Sequence, residues 1–153
     1  MKRFIELVVV LVIAVASTAC YQEKGVGDDY LDVTPNNISG VWQMESYDNG
    51  VALAEGSYYY IEFIRKDKKF VSYDNLESMG SEPRKRTGRF DITTNASAVI
   101  RGMYDYGLGD WEHSYYVRDL TPERMVWVAV DDESIVTVYV RAELPDGLKS
   151  EDK

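Results

Sequence analysis

With 153 residues and 26 acidic against 17 basic side chains, the chain is the size of one self-supporting domain and carries a formal net charge of −9. Such an acidic surface is repelled by nucleic acid and by anionic lipid headgroups, so nucleic acid is not an expected partner. One histidine and one cysteine exclude a two-imidazole catalytic set, a multi-histidine metal centre and an internal disulfide.

Lys2 and Arg3 precede an unbroken apolar run over residues 7–16. About 20 apolar residues are needed to span a bilayer, so this run is too short and reads as the hydrophobic region of a signal peptide over residues 1–19. Ser17-Thr18-Ala19-Cys20 then resembles the bacterial lipoprotein processing site. That resemblance implies cleavage before Cys20, lipidation of its sulfur and acylation of the new amine. An ordinary signal peptide with a free cysteine is the alternative. The lone cysteine falling at the processing site favours the lipoprotein. The expected address is the bacterial envelope, as an outer-membrane lipoprotein. Its membrane contact is through acyl chains on Cys20, at about 0.8 kcal/mol per buried CH₂.

Residues 20–37 are polar, with Gly25, Gly27, Asp28 and Asp29, and show neither helical nor strand periodicity. They read as the lipidated cysteine followed by a flexible tether. The acidic residues after Cys20 resemble the export signal of Bacteroides-type lipoproteins. Pro35-Asn36-Asn37-Ile38-Ser39 marks a turn into the domain.

From Gly40 onward, short β-rich runs alternate with turn residues. The runs are 41–47, 58–65, 69–73, 87–93, 97–104, 111–120, 125–130 and 134–143. Asp48-Asn49-Gly50 is a strong turn signal after the first of them. Pro145 ends the domain, and a charged tail occupies 146–153. No helical stretch interrupts the series, and only the 74–85 loop approaches the length of a parallel crossover. The expectation is an all-β, antiparallel, up-and-down barrel of about eight strands over residues 38–145. Closure hides the sheet edges, and a two-sheet sandwich is the rival.

Gly40-Val41-Trp42, the aromatic run Tyr58-Tyr59-Tyr60-Ile61-Glu62-Phe63, the stretch from Trp111 through Tyr115-Tyr116-Val117 to Met125, and Arg141 before Leu144-Pro145 resemble the lipocalin family. They are closest to the lipocalin-like domains of Bacteroides-type lipoproteins. The resemblance implies a barrel closed at one end, with Trp42 on the first strand packed under Arg141 on the last. A guanidinium over an indole contributes about 0.5–2 kcal/mol. The disulfide and terminal helix of longer lipocalins are missing from the sequence, and the shorter length implies a narrow interior.

Alternation assigns the inward set on the earlier runs: Trp42, Met44 and Ser46; Tyr59, Ile61 and Phe63; Phe90 and Ile92; Ala98, Ile100 and Gly102; Trp111, His113, Tyr115 and Val117. The last two runs are apolar on both faces, and Met125, Trp127, Tyr139 and Arg141 are placed inward by their relation to Trp42. A ligand inside would touch Tyr59, Phe63, His113, Tyr115 and Trp127, with His113 as a polar contact that could make affinity pH-dependent. No catalytic residue, metal ligand or cofactor site emerges. Asp131-Asp132-Glu133, residues 66–69 and Arg84-Lys85-Arg86 read as solvated turns. Gly107-Leu108-Gly109 lacks the strand-loop-helix setting of a phosphate loop. The leading expectation is a non-enzymatic, envelope-anchored module for a small apolar or amphipathic ligand. The alternative is an interaction protein with a packed barrel, meeting a protein partner through its outer face or the 74–85 loop. A cavity of about 300 Å³ or more would separate the two.

Overall fold

The computed structural model describes residues 29–76 and 83–149. Nine strands follow in chain order: β1 (Gly40–Tyr47), β2 (Val51–Ala52), β3 (Tyr59–Ile64), β4 (Lys69–Asp74), β5 (Arg84–Thr93), β6 (Val99–Tyr104), β7 (Tyr115–Arg118), β8 (Arg124–Ala129) and β9 (Val136–Arg141). Every neighbouring pair is antiparallel, and β1 pairs with β9 as well as with β3. Apart from the two-residue β2, which pairs onto the end of β1, the strands make a closed eight-stranded barrel. The described residues hold two short 3₁₀ turns and no α-helix. The all-β, up-and-down barrel expected from the spacing of turn signals is therefore the observed fold.

Local chemistry explains the turns. Asp48, Asn49 and Gly50 all have positive φ, at 43°, 61° and 106°. These residue types enter the left-handed region at little expense, and the chain reverses there into β2. Loops at 65–68, 94–98 and 119–123 gather at one end of the barrel. Loops at the other include 105–114 and 130–135.

The end with short loops is shut. Ile38 is fully buried, and Leu31 and Val33 pack against the core cluster. The Leu31 N–H donates to the Leu120 carbonyl at 2.7 Å. The last stretch of the expected tether is thus a plug beneath the barrel. The glycines and aspartates of residues 25–29 hide the alternation of Leu31 and Val33 that marks it. Cys20, the signal peptide and the upstream part of the tether lie outside the described residues.

Two strand boundaries differ most from the sequence expectation. The fourth predicted run begins at Arg84 rather than 87. The sixth, expected over 111–120, pairs as a strand only across Tyr115–Arg118. Upstream of β7, the Trp111 N–H donates to the Gly102 carbonyl at 2.9 Å, while residues 112 and 113 leave the ladder. The Trp111 ring takes the space over Gly102, where a Cβ would stand 2.1 Å from it. The glycine is what lets an indole lie flat against β6.

Candidate functional site

Closure comes first, because it decides which end can admit a ligand. Trp42 and Arg141 are register partners on β1 and β9, and the guanidinium lies 3.8 Å from the indole centroid. Arg141 also donates to the carbonyls of Ser39 (2.7 Å), Pro122 (3.0 Å) and Asn37 (3.3 Å). One side chain thereby ties the plug and the 119–123 loop to the last strand. The Trp42 Nε1–H donates to the Ile38 carbonyl at 2.8 Å. These contacts seal the short-loop end, so among the described residues the opposite end is the candidate for entry.

Above the seal, period-2 alternation sends aromatic rings inward from several strands. Trp127 is their hub. Its ring centroid lies 4.8 Å from that of Tyr139, 5.1 Å from Tyr115, 5.4 Å from Trp111 and 6.1 Å from Phe63. Tyr59 joins through Tyr139 at 6.3 Å. Four of the five residues expected to line a ligand site, Tyr59, Phe63, Tyr115 and Trp127, thus belong to one ring cluster. Phe63 is the deepest of the four and is fully buried. Tyr60, the neighbour of Tyr59, instead points outward and meets Tyr58 at 5.7 Å.

His113 lies elsewhere. It sits in the irregular stretch before β7, and its Nδ1–H donates to the exposed Asp131 carboxylate at 2.8 Å. This hydrogen bond is the leading reason that the Asp131 carboxyl titrates below its ordinary value. The His113 ring reaches the site only through an edge contact with Tyr115 at 5.9 Å. It also lines a hollow of about 500 Å³ in the barrel wall, with Arg89, Asp91, Arg101, Asp110 and Trp111. Alternation assigned His113 inward because it presumed an unbroken sixth strand.

The open half contains charge that was not anticipated. Arg84 and Arg86, read from the sequence as part of a solvated turn, lie on β5 and meet Asp74 at the end of β4. Asp74 is fully buried. Arg84 Nη2 reaches its Oδ1 at 2.7 Å, and Arg86 Nη2 reaches its Oδ2 at 3.1 Å. The Arg86 guanidinium also lies over the Tyr104 ring at 4.8 Å. The signal was present in the sequence: counting back by twos from inward Phe90 gives Gly88, Arg86 and Arg84.

Three buried polar atoms have no hydrogen-bond partner among the described residues: Ser72 Oγ, Arg86 Nε and Trp111 Nε1. The tyrosine hydroxyls nearby stay protonated. Burial, followed by the field of Glu112, pushes Tyr115 up to about 12. Burial likewise raises Tyr139 well above its ordinary value, with Tyr59 and Tyr115 adding to the effect. The open half therefore offers neutral hydroxyls and a guanidinium above an apolar floor. A second hollow, of about 430 Å³, sits at this end among Met44, Tyr47, Leu53, Ala54, Ser57 and Leu76.

A family model described as a lipocalin-like domain matches residues 38–127. No curated protein matches the chain.

Proposed function

The chain belongs to the lipocalin-like domain family, and from that premise we propose a non-enzymatic binding module that holds a small apolar or amphipathic molecule in the open half of its barrel. One observation carries the reading: Tyr59, Tyr104 and Tyr115 face inward yet keep partial exposure, while Trp127 beneath them is buried. Side chains on the inward face that still meet water mark space reached from the open end. Aromatic rings with a polar tip suit a molecule with an apolar body and a polar end. Tyr59, Tyr115 and Trp127 are the proposed contacts, Phe63 supports them from below, and His113 acts by holding Tyr115.

The test is tryptophan fluorescence of the mature chain, residues 20–153, titrated with apolar and amphipathic probes. Saturable quenching is expected, weakened about tenfold by Tyr115→Ala through lost ring contact. The absence of saturable binding by every probe would end this reading and favour an interaction surface on the outer face.

We further propose that the module is anchored to a bacterial envelope through lipid on Cys20. The small residues before this lone cysteine, and the apolar run before them, support that reading. Cys20→Ser should move the protein from the membrane fraction to the soluble fraction and leave the precursor uncut. A variant still cleaved before residue 20 and still membrane-bound would overturn the anchor.

A further inference from the structure

An antiparallel sheet with one face in water normally alternates apolar-in with polar-out. β5 does so, with Lys85, Arg89 and Asp91 on its outer face. The wall made by β7, β8 and β9 does not. Its outward positions include Tyr116, Val126, Val128, Val136, Val138 and Val140. The ladder sets them side by side: Tyr116 opposes Val128, Val128 opposes Val136, and Val126 opposes Val138. All but Val128 keep partial exposure, and Val130, just past β8, is 40% exposed. Strand propensity alone does not require this, since threonine suits a strand as well and would face water at less cost.

Charge is ordered along this wall. At the short-loop end, Arg118 and Arg124 stand at outward positions of β7 and β8, opposite Val126 and Val140. Arg118 lies over the Tyr116 ring at 5.4 Å, and neither arginine has a carboxylate partner among the described residues. Asp119 and Glu123 belong to the 119–123 loop beyond the strands. At the open end, the Asp131-Asp132-Glu133 turn follows Val130. Asp131 accepts from His113 and Asp132 from Ser134, whereas Glu133 has no side-chain partner among the described residues. Arg124 and Asp132 are equally far along the chain from Val128, one on each side. A two-fold axis through Val128 would therefore lay valines on valines and bring each copy's arginines to the other's acidic turn. The net charge of −9 makes copies repel one another, and these two arginines offset that repulsion locally.

We propose that the outer wall of β7, β8 and β9 is the interface of a two-fold homodimer. Val126, Val136, Val138 and Val140 form its centre, and Arg118 and Arg124 of each copy meet residues 131–133 of the other. The dimer is independent of the binding-module reading, because this wall leaves the open end of the barrel free. Strands lie about 4.8 Å apart and rise about 3.3 Å per residue, so three strands over the length from Arg124 to Asp132 cover roughly 14 by 26 Å. That footprint belongs to the small class of interface, so the pairing is reversible, with Kd on the order of 10 μM.

The experiment is sedimentation equilibrium of residues 20–153 carrying Cys20→Ser, so that no disulfide links copies. A concentration-dependent dimer is expected. Val138→Lys should weaken it at least tenfold, because an ammonium group would be desolvated at the centre of the interface. Arg124→Glu sets a carboxylate against the acidic turn and should weaken the dimer about fivefold. Adding Glu133→Lys to Arg124→Glu should restore Kd to within about twofold, because the exchanged charges meet again across the two-fold axis. Arg124 and Glu133 are both exposed, so the charge exchange serves as the test even if Val138→Lys fails to fold. A chain that stays monomeric at about 100 times the expected Kd overturns the dimer, as does a dimer unchanged by Val138→Lys. A double variant no tighter than Arg124→Glu alone overturns it too. So does a monomer that binds phosphatidylcholine vesicles and loses that binding in Val138→Lys, since the wall would then face a bilayer rather than a second copy.

Discussion

Replacing Trp42 by alanine should destabilise the domain by about 3–5 kcal/mol, measured as the change in unfolding free energy in urea. The indole is fully buried, so its loss removes a large apolar surface and leaves a cavity. It also abandons the Ile38 carbonyl that accepts from Nε1, and takes away the surface on which Arg141 lies. The cavity opens between the first strand, the last strand and the plug, which no single element can relax to fill. A domain of this size is stable by about 5–15 kcal/mol, so the change consumes a large share of the total. Arg141→Lys should lose about 1–3 kcal/mol, because an ammonium keeps the charge without the fork that reaches three separate carbonyls. A loss below about 1 kcal/mol for Trp42→Ala would show that closure does not depend on this contact.

The same corner shows how much of the fold is legible in the sequence. Gly40-Val41-Trp42 can be read because each residue answers a separate demand. Gly40 has φ of 111°, a backbone conformation that strains any residue with a side chain, and a Cβ there would also stand 2.8 Å from Arg141 Nη1, so the guanidinium would have to shift. Trp42 then falls on the inward face two residues later. Strand parity carries much of the interior: Trp42, Ile61, Phe63, Phe90, Ile100 and Val117 are all inward and buried, as alternation requires, while Met125 and Tyr139, on runs apolar on both faces, are placed only by their relation to Trp42 and are buried too. Parity fails where the ladder is broken. His113 sits in such a break, created by the fit of Trp111 over Gly102, a long-range contact that local pattern does not encode.

The charged part of the candidate site escaped for a different reason. Arginine and lysine are almost always at the surface, so a run of three basic residues after a glycine- and proline-containing loop reads as solvated. What places Arg84 and Arg86 inward is the strand register from Phe90 backward, together with one carboxylate on the neighbouring strand that receives them. A sequence shows the three residues but not the pairing of β4 with β5. The plug was missed similarly: Leu31 and Val33 are too few to announce an element, and only the closed end of the barrel gives them something to cover.

Asp74→Asn should be the most damaging conservative change at the open end, with an expected loss of about 3 kcal/mol. The two side chains have nearly the same shape, so packing hardly changes and the charge is what is removed. In the native protein the fully buried carboxylate accepts from Arg84 Nη2 and Nε and from Arg86 Nη2, and also from the Leu76 N–H. An amide can accept through its oxygen alone, and its NH₂ would face a guanidinium donor. Arg86 would then lose the one acidic side chain that pairs with it among the described residues. The partial exposure of the two arginines to water holds the loss toward the lower end of the range for a broken buried ion pair. The double variant Asp74→Asn with Arg86→Met should recover part of the loss, because it removes one uncompensated charge and replaces it with an apolar side chain of similar length. Denaturant unfolding of the native protein, both single variants and the double variant closes the cycle. Additive losses across the four proteins would show that Asp74 and Arg86 do not act as a pair. A single-variant loss for Asp74→Asn under about 1 kcal/mol would show that water already neutralises the arginines at the mouth.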